Sequence, residues 1–220
     1  MRHFRILIIF GIVSLVSLVE VGAQALDISS GGAPSITGSV GGSVTGSSDV
    51  RQNLVVTVNF GELSPLNANN IVKVIVPIAV RSNQPYQVRV AYTGAVNANA
   101  QAIQRSDFGF GLQNWRAMGN NSRVCNNSPH IFYSPFNNDP ANNRTFAANG
   151  RAQYPSDLND VNLATTILSG PRLSNGGASR QTNDGYIFDA ILAITPQYYA
   201  PGATTATLTF TISAGPNVPC

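Results

Sequence analysis

Charge is scarce in this 220-residue chain. Asp, Glu, Lys and Arg together make up 10% of it, and Lys73 is the only lysine. A nucleic-acid footprint needs Lys and Arg clustered on one face, and the arginines here are scattered, so the formal net charge of +3 does not indicate one. Histidine is nearly absent: His3 lies in the leader, and His130 is the other. No HExxH and no GxSxG occurs, so the metalloprotease and hydrolase-elbow readings lack their motifs. No phosphate-cradling Gly loop precedes a helix, so nucleotide binding has no support. No stretch keeps a 3.6-residue apolar period, which argues against a helical domain.

The one long apolar run is Ile6 to Val19, preceded by Arg2 and Arg5 and followed by Ala23 and Ala25. At about 1.5 Å per residue such a run covers roughly 21 Å, short of the roughly 30 Å of a hydrocarbon core. A short positive region, an apolar core and a small-x-small site together form a secretory signal. Residues 1–25 are therefore expected to be a signal peptide cleaved after Ala25. No Cys follows the run to accept a lipid, and no second run of spanning length is present. The expected location is secreted, periplasmic or at the cell surface, with no membrane span after cleavage.

Cys125 and Cys220 are the only cysteines. An even count in an exported chain reads as a disulfide. An intramolecular bridge, an intermolecular link through Cys220 and two separate thiols all remain open.

What is abundant is Asn, Ser, Thr, Gly and alternating apolar residues. Residues 26–50 form a Gly/Ser-rich N-terminal extension, either a flexible leader or a weak strand carrying Ile36, Val40 and Val44. Strand patterns follow. Leu54, Val56, Val58 and Phe60 share one face, as do Val72, Val74, Val76, Ile78 and Val80. Pro77 removes a ladder donor, which predicts an edge strand or a bulge there. Tyr86, Val88, Val90 and Tyr92 keep a period of two. Phe108, Phe110 and Leu112 suggest a further strand, with Trp115 a candidate core residue.

An irregular stretch runs from about Asn120 to Asn162, rich in Asn and Pro, which favour turns. Within it VNLATTIL is a strand or a helix, and Ser174 to Gly185 is a second loop. Regularity returns in Tyr186 to Thr195 and in Ala206 to Ile212, with Pro201-Gly202 between them suited to a type II turn. Short strands separated by turn clusters predict an all-β sandwich with long Asn-rich loops. It would span 51–220, with an irregular insertion at about 114–185.

The segments IVPIAVRSNQPYQVRVAY and PQYYAPGATTATLTFTIS resemble bacterial surface β-sandwiches: pilin subunits assembled by chaperone and usher, and spore-coat-U-like secreted domains. The resemblance covers about forty residues and rests on a strand leading into an SNxPYxV turn and on a closing Pro-Gly turn with a Thr-alternating strand. It implies an incomplete immunoglobulin-like β-sandwich completed by a neighbour's strand, with Leu26 to Val44 the candidate donor. The chain departs from that pattern in its late cysteine pair and in the glycines Gly31, Gly32, Gly41 and Gly42.

Catalysis needs a nucleophile, base or metal in a cluster, and the sequence assembles none. A triad through His130, or Cys125 paired with it, competes with a structural histidine and an oxidised cysteine. Asp157, Asn159, Asp160 and Asn162 form an oxygen-rich run of the kind Ca²⁺ accepts, but the spacing is not an EF-hand, and a solvated turn is the competing reading. No catalytic, metal or cofactor residue is assigned, and no cofactor is expected. Tyr133, Phe136, Phe146 and Tyr154 punctuate the Asn-rich loops. They are candidate ligand contacts for a carbohydrate, or anchors that tie the loops down. Three glycosylation sequons, at Asn120, Asn126 and Asn143, matter only in a eukaryotic secretory path.

The expected function is that of a non-enzymatic exported surface protein, structural or adhesive, including a pilin-like subunit. The alternative is a secreted carbohydrate-binding module using the aromatic and Asn-rich loops. Partners would be other surface-protein subunits, a second copy, or glycans, and not nucleic acid.

Overall fold

The computed structural model describes residues 26–63, 71–94, 102–118, 125, 129–173, 185–197, 199 and 204–219. The expected signal peptide, most of the Ser174–Gly185 loop, the Pro201-Gly202 turn and Cys220 lie outside them.

The described chain is an all-β sandwich of antiparallel sheets. Its strands in order are β1 (Leu26–Ser30), β2 (Ser35–Thr37), β3 (Ser43–Val50), β4 (Asn53–Asn59), β5 (Val72–Ser82), β6 (Tyr86–Thr93) and β7 (Phe108–Met118). Then come β8 (Ile131–Phe132), β9 (Thr145–Phe146), β10 (Ala152–Gln153), β11 (Thr165–Gly170), β12 (Gly185–Ile194) and β13 (Thr205–Ala214). One sheet runs β1-β5-β12-β7, with β2 also on β5, and the other runs β3-β4-β13-β6-β11-β8. Strands β9 and β10 form a separate hairpin. Among the described residues no helix is long and apolar enough to cross a membrane.

The second sheet follows its alternation. Leu54, Val56 and Val58 of β4, Val88 and Val90 of β6, and Leu208, Phe210 and Ile212 of β13 are buried. The threonines between them face out, and the Thr57 and Thr207 hydroxyls meet across the β4–β13 ladder at 3.1 Å. One face meets the core and one meets water, the usual state of an antiparallel sheet.

The first sheet is buried on both faces at its centre. Val74, Val76 and Ile78 face the core, while Ala79, Ile191 and Ala193 are buried on the far side. Over β7 and the Lys73 end of β5 that far side is covered by the segment 133–157, which the Phe-Gly-Phe-Gly run of β7 admits. Phe108 and Phe110 point into the core, and Gly109 and Gly111 leave a bare floor. A Cβ on Gly111 would collide with the Asn138 carbonyl oxygen, and one on Gly109 would collide with Tyr154 and Pro140. The segment also pairs with the open edge of β7. Leu112 donates to the Phe136 carbonyl at 2.8 Å, Phe110 to Ser156 at 3.0 Å, and Leu158 to Phe108 at 3.1 Å. Lys73 reaches across to Asp139 at 2.6 Å. These bonds satisfy main-chain groups that an exposed edge would leave open.

Two expectations are corrected. Strand β5 is neither an edge strand nor bulged against β12; it is interior, with Pro77 opposite Asp189. Its other neighbour is broken at that height, because β1 ends at Ser30 and β2 resumes at Ser35. The Pro77 carbonyl accepts from Gly31 at 2.8 Å, so the proline nitrogen also faces the break. Paired residues of an antiparallel ladder direct both main-chain groups to one side, so the missing donor falls opposite Gly31, at the break, and the β5–β12 ladder loses none.

Trp115, read as a core residue, is 41% exposed. Arg116 pairs with Ile187 and Gln113 with Asp189, so Asn114 and Trp115 together face Phe188 alone. Two residues against one is a β-bulge. Asn114 takes φ 52, a left-handed conformation that Asn tolerates better than most residues. The extra residue shifts the alternation and turns Trp115 outward.

The N-terminal extension supplies β1 to β3. Leu26 and Ile28 are buried, and Asp27 faces Arg81 of β5 at 3.3 Å with both side chains nearly enclosed. Gly38 and Gly41, at φ 75 and φ 73, carry the chain from the first sheet to the second. Strand β11 starts within VNLATTIL, the segment read as a strand or a helix, and is an interior strand of the second sheet.

Candidate functional site

The four aromatic residues singled out in the loops do not form one surface. Phe136 is 3% exposed and packs edge-on against Phe110 at 5.8 Å, so it belongs to the core and is not a ligand contact. Tyr133 is half-buried, its hydroxyl 3.1 Å from that of Ser169. Phe146 is 57% exposed on the β9–β10 hairpin, with the Arg144 guanidinium 5.8 Å from its ring centre. Tyr154 lies at the wall of a groove. Of the four, two anchor the loop and two remain near open surface.

Two grooves are instead built by residues that the sequence left apart. The first, of about 530 Å³, lies between the β9–β10 hairpin and the start of β7. Asp107 and Arg151 form its floor. Asp107 closes a short 3-10 turn, Arg105–Asp107, and accepts from the Gln104 amide at 2.6 Å. Arg151 grips it in two-pronged fashion, Nε to Oδ1 at 2.8 Å and Nη2 to Oδ2 at 2.5 Å. Its Nη2 also donates to the Ala102 carbonyl at 3.0 Å. Two parallel charge-assisted bonds fix a guanidinium plane, and the Asp107 carboxylate, by accepting from it, raises the Arg151 pKa further.

The walls of this groove are held from behind. The Tyr154 hydroxyl accepts from the Thr195 amide at 2.9 Å and lies 3.0 Å from its hydroxyl. Burial pushes the Tyr154 phenol above its ordinary pKa. Asp157 accepts from the Asn159 amide at 2.7 Å, and its own amide donates to Asp160 at 2.9 Å. Desolvation holds the Asp157 carboxyl above the usual carboxylate range, and the Asp160 charge adds to this. In the Asp157–Asn162 run these carboxylates thus close main-chain turns of their own. Among the described residues no group of three or more His, Cys, Asp or Glu side chains is placed to hold a metal ion.

The second groove, of about 590 Å³, is aromatic. Trp115, turned out by the bulge, stacks on Phe132 at 4.1 Å. Beside them His130 lies flat on Tyr186, with ring centres 3.6 Å apart and planes 11° apart. Tyr86 is 6.0 Å behind it. Gly170 makes room for this packing, since a Cβ there would meet both His130 and Tyr86. Burial pushes the Tyr186 phenol up to about 12. His130 is thereby packed as a ring among rings.

Cys125 is buried, and none of the described cysteines is a free thiol. Cys220 lies outside the described residues, as do the sequons at Asn120 and Asn126. Asn143 is exposed and lines the first groove.

Neither groove was legible as a site. The Asp107–Arg151 pair joins positions far apart in sequence, and no spacing marks it. The one available signal was the Thr145–Gln153 stretch, whose Asn149-Gly150 is hairpin chemistry. Trp115 carried the right residue type but the wrong expected face. Comparison with known protein families, with curated proteins and with solved structures gives no match for this chain.

Proposed function

We propose that this is a non-enzymatic exported surface protein of the adhesive kind, an immunoglobulin-like sandwich that holds a partner in the groove around Arg151. The observation that carries this reading is the state of the polar groups at the groove floor. Arg151 and Asp107 hold each other, Tyr154 is tied to Thr195, and Asp157 is tied to Asn159. Groups fixed by their neighbours make a rigid recognition surface. A reacting group would instead face a base or nucleophile within hydrogen-bond reach. An expected Cys125–Cys220 bridge and an expected leader over residues 1–25 fit the same extracytoplasmic setting.

The test is retention of the purified mature protein on immobilised cell-surface material. Retention should fall at least tenfold in Gln153→Trp, which fills the groove from an exposed position. Undiminished retention in that variant, with the fold intact by circular dichroism, would remove the groove from the proposal.

A pilin-like subunit is the second reading, favoured by one observation. Strands β1 and β2 form an edge ladder on β5 and lead through a Gly-rich stretch to β3. The same ladder formed between two copies would be strand exchange. Light scattering on the mature chain and on a Leu26–Thr37 deletion separates the readings. A concentration-dependent ladder lost on deletion supports exchange, and a monomer at all concentrations supports the self-contained adhesin.

A further inference from the structure

We infer that the groove between the β9–β10 hairpin and the start of β7 binds a neutral carbohydrate, one or two pyranose rings, and this rests on the adhesive reading above. The groove encloses about 530 Å³, within the range of about 300–1,000 Å³ usual for small-ligand sites.

Its chemistry selects the ligand. Asn143, Asn149 and Gln153 bring side-chain amides to the walls. Each amide presents both donors and an acceptor. Ser106 and Thr145 add hydroxyls that act both ways, and Asp157 adds an acceptor. A ligand that satisfies such a surface must itself carry many groups that donate and accept at short, fixed intervals. The hydroxyls of a sugar ring do so.

Charge argues against the competing small ligands. The Arg151 charge is matched by Asp107 across a two-pronged bridge. With that pair neutral, the lining adds only the Asp157 charge, opposed by the Arg144 charge that acts on Tyr154. Phosphates, nucleotides and acidic sugars would find no cation in excess there. A cationic ligand would need a larger acidic cluster than a single carboxylate that already accepts from a main-chain amide. A peptide added as a strand needs a long free edge, and the hairpin offers two-residue strands only.

The apolar requirement is also met. A pyranose has a face of C–H groups, and the Tyr154 ring, Pro155, Ala147 and Ala152 line the same groove. The Tyr154 ring is set before any ligand arrives, because Thr195 holds its hydroxyl through both its amide and its own hydroxyl. Preorganised walls lower the ordering cost of binding.

The test uses the mature full-length chain on an array of neutral, sialylated and sulfated glycans, followed by calorimetry with the best neutral binder. The expected result is binding to a subset of neutral glycans, weakened at least tenfold in Asp157→Asn and in Gln153→Ala. Both variants should keep the wild-type unfolding midpoint or exceed it, and Trp115→Ala, in the other groove, should bind as wild type. Preference for sulfated or sialylated glycans, or equal binding by the Asp157 and Gln153 variants, overturns the inference. Cell-surface material oxidised with periodate, which destroys sugar rings, separates this from the wider proposal. Retention that survives periodate keeps the adhesive reading and overturns the carbohydrate one, and a protein retained on neither surface overturns both.

Discussion

Asp27 and Arg81 face each other across the β1–β5 ladder at 3.3 Å, with side chains 1% and 8% exposed. Arg81 also donates to the Ser29 hydroxyl at 3.1 Å. Removing one member of an enclosed ion pair leaves the other charge without compensation. Arg81→Met should therefore cost about 3–5 kcal/mol, whereas the double change Asp27→Leu with Arg81→Met should cost much less. Urea unfolding of the three proteins decides it, and equal losses in the single and double variants would contradict the pairing.

The bulge at Asn114 invites a backbone test. Its φ of 52 is costly for a β-branched side chain. Both Asn114→Val and Asn114→Gly lose the side-chain bond to Asp189 at 3.0 Å, so the strain shows as the difference: the valine variant should be roughly 1–2 kcal/mol less stable than the glycine one. Trp115 is the only tryptophan in the chain, so its fluorescence reports the site directly. The native emission should be that of a half-exposed indole, and it should shift in the valine variant.

Gly111 sits under the segment that covers the first sheet. Ala at this position would collide with the Asn138 carbonyl oxygen. Either the sheet or the segment must give way, at a cost of about 1–3 kcal/mol. Hydrogen exchange should show where. The Leu112 amide, bonded to Phe136 in the native protein, should exchange faster in Gly111→Ala, while amides of the β4–β13 ladder should not change.

Asp157 gives a pH prediction. Desolvation, first, and the Asp160 charge hold its native pKa above the unfolded value. The native state then binds the proton more tightly, so this group's contribution to stability falls as pH rises from the ordinary carboxylate range through the raised native value. Above that window the loss is complete and constant. Asp157→Asn removes the charge and should melt at a higher temperature than wild type at pH 7, with the gap closing in acid. A gap that stays constant with pH would refute this origin.

The cysteine pair gives the last prediction. Peptide mapping without reduction should join Cys125 to Cys220. A bridge closing a loop of roughly a hundred residues contributes about 4–5 kcal/mol in the chain-entropy picture, so reduction should lower the unfolding midpoint sharply.

The strands carrying an uninterrupted period of two were legible from the residues. Leu208, Phe210 and Ile212 point inward because nothing disturbs the alternation between the threonines. Legibility stopped where a single residue changes phase, as at Asn114, since the same indole faces core or solvent depending on one φ angle. It stopped again at β1, which pairs along β5, whereas β2 and β3 carry Ile36 and Val44 of the weak strand already read in that stretch. The candidate site was the least legible part. Tyr154 was named for its ring, but Asp107 and Arg151 become partners only once β7 and the hairpin are folded together. The glycines of Phe-Gly-Phe-Gly, unmarked in the sequence, are the seat of the segment above.

The break opposite Pro77 divides the N-terminal arm mechanically. A pull on Leu26 would first load β1, where the Asp27–Arg81 pair lies. Once those five residues and the Gly31–Pro77 bond came away, the slack in Gly32–Pro34 would take up the extension before β2, three residues long, began to carry load. The arm behaves as two latches in series joined by a slack tether, so a tug at the end can open the first without transmitting its full force to the second.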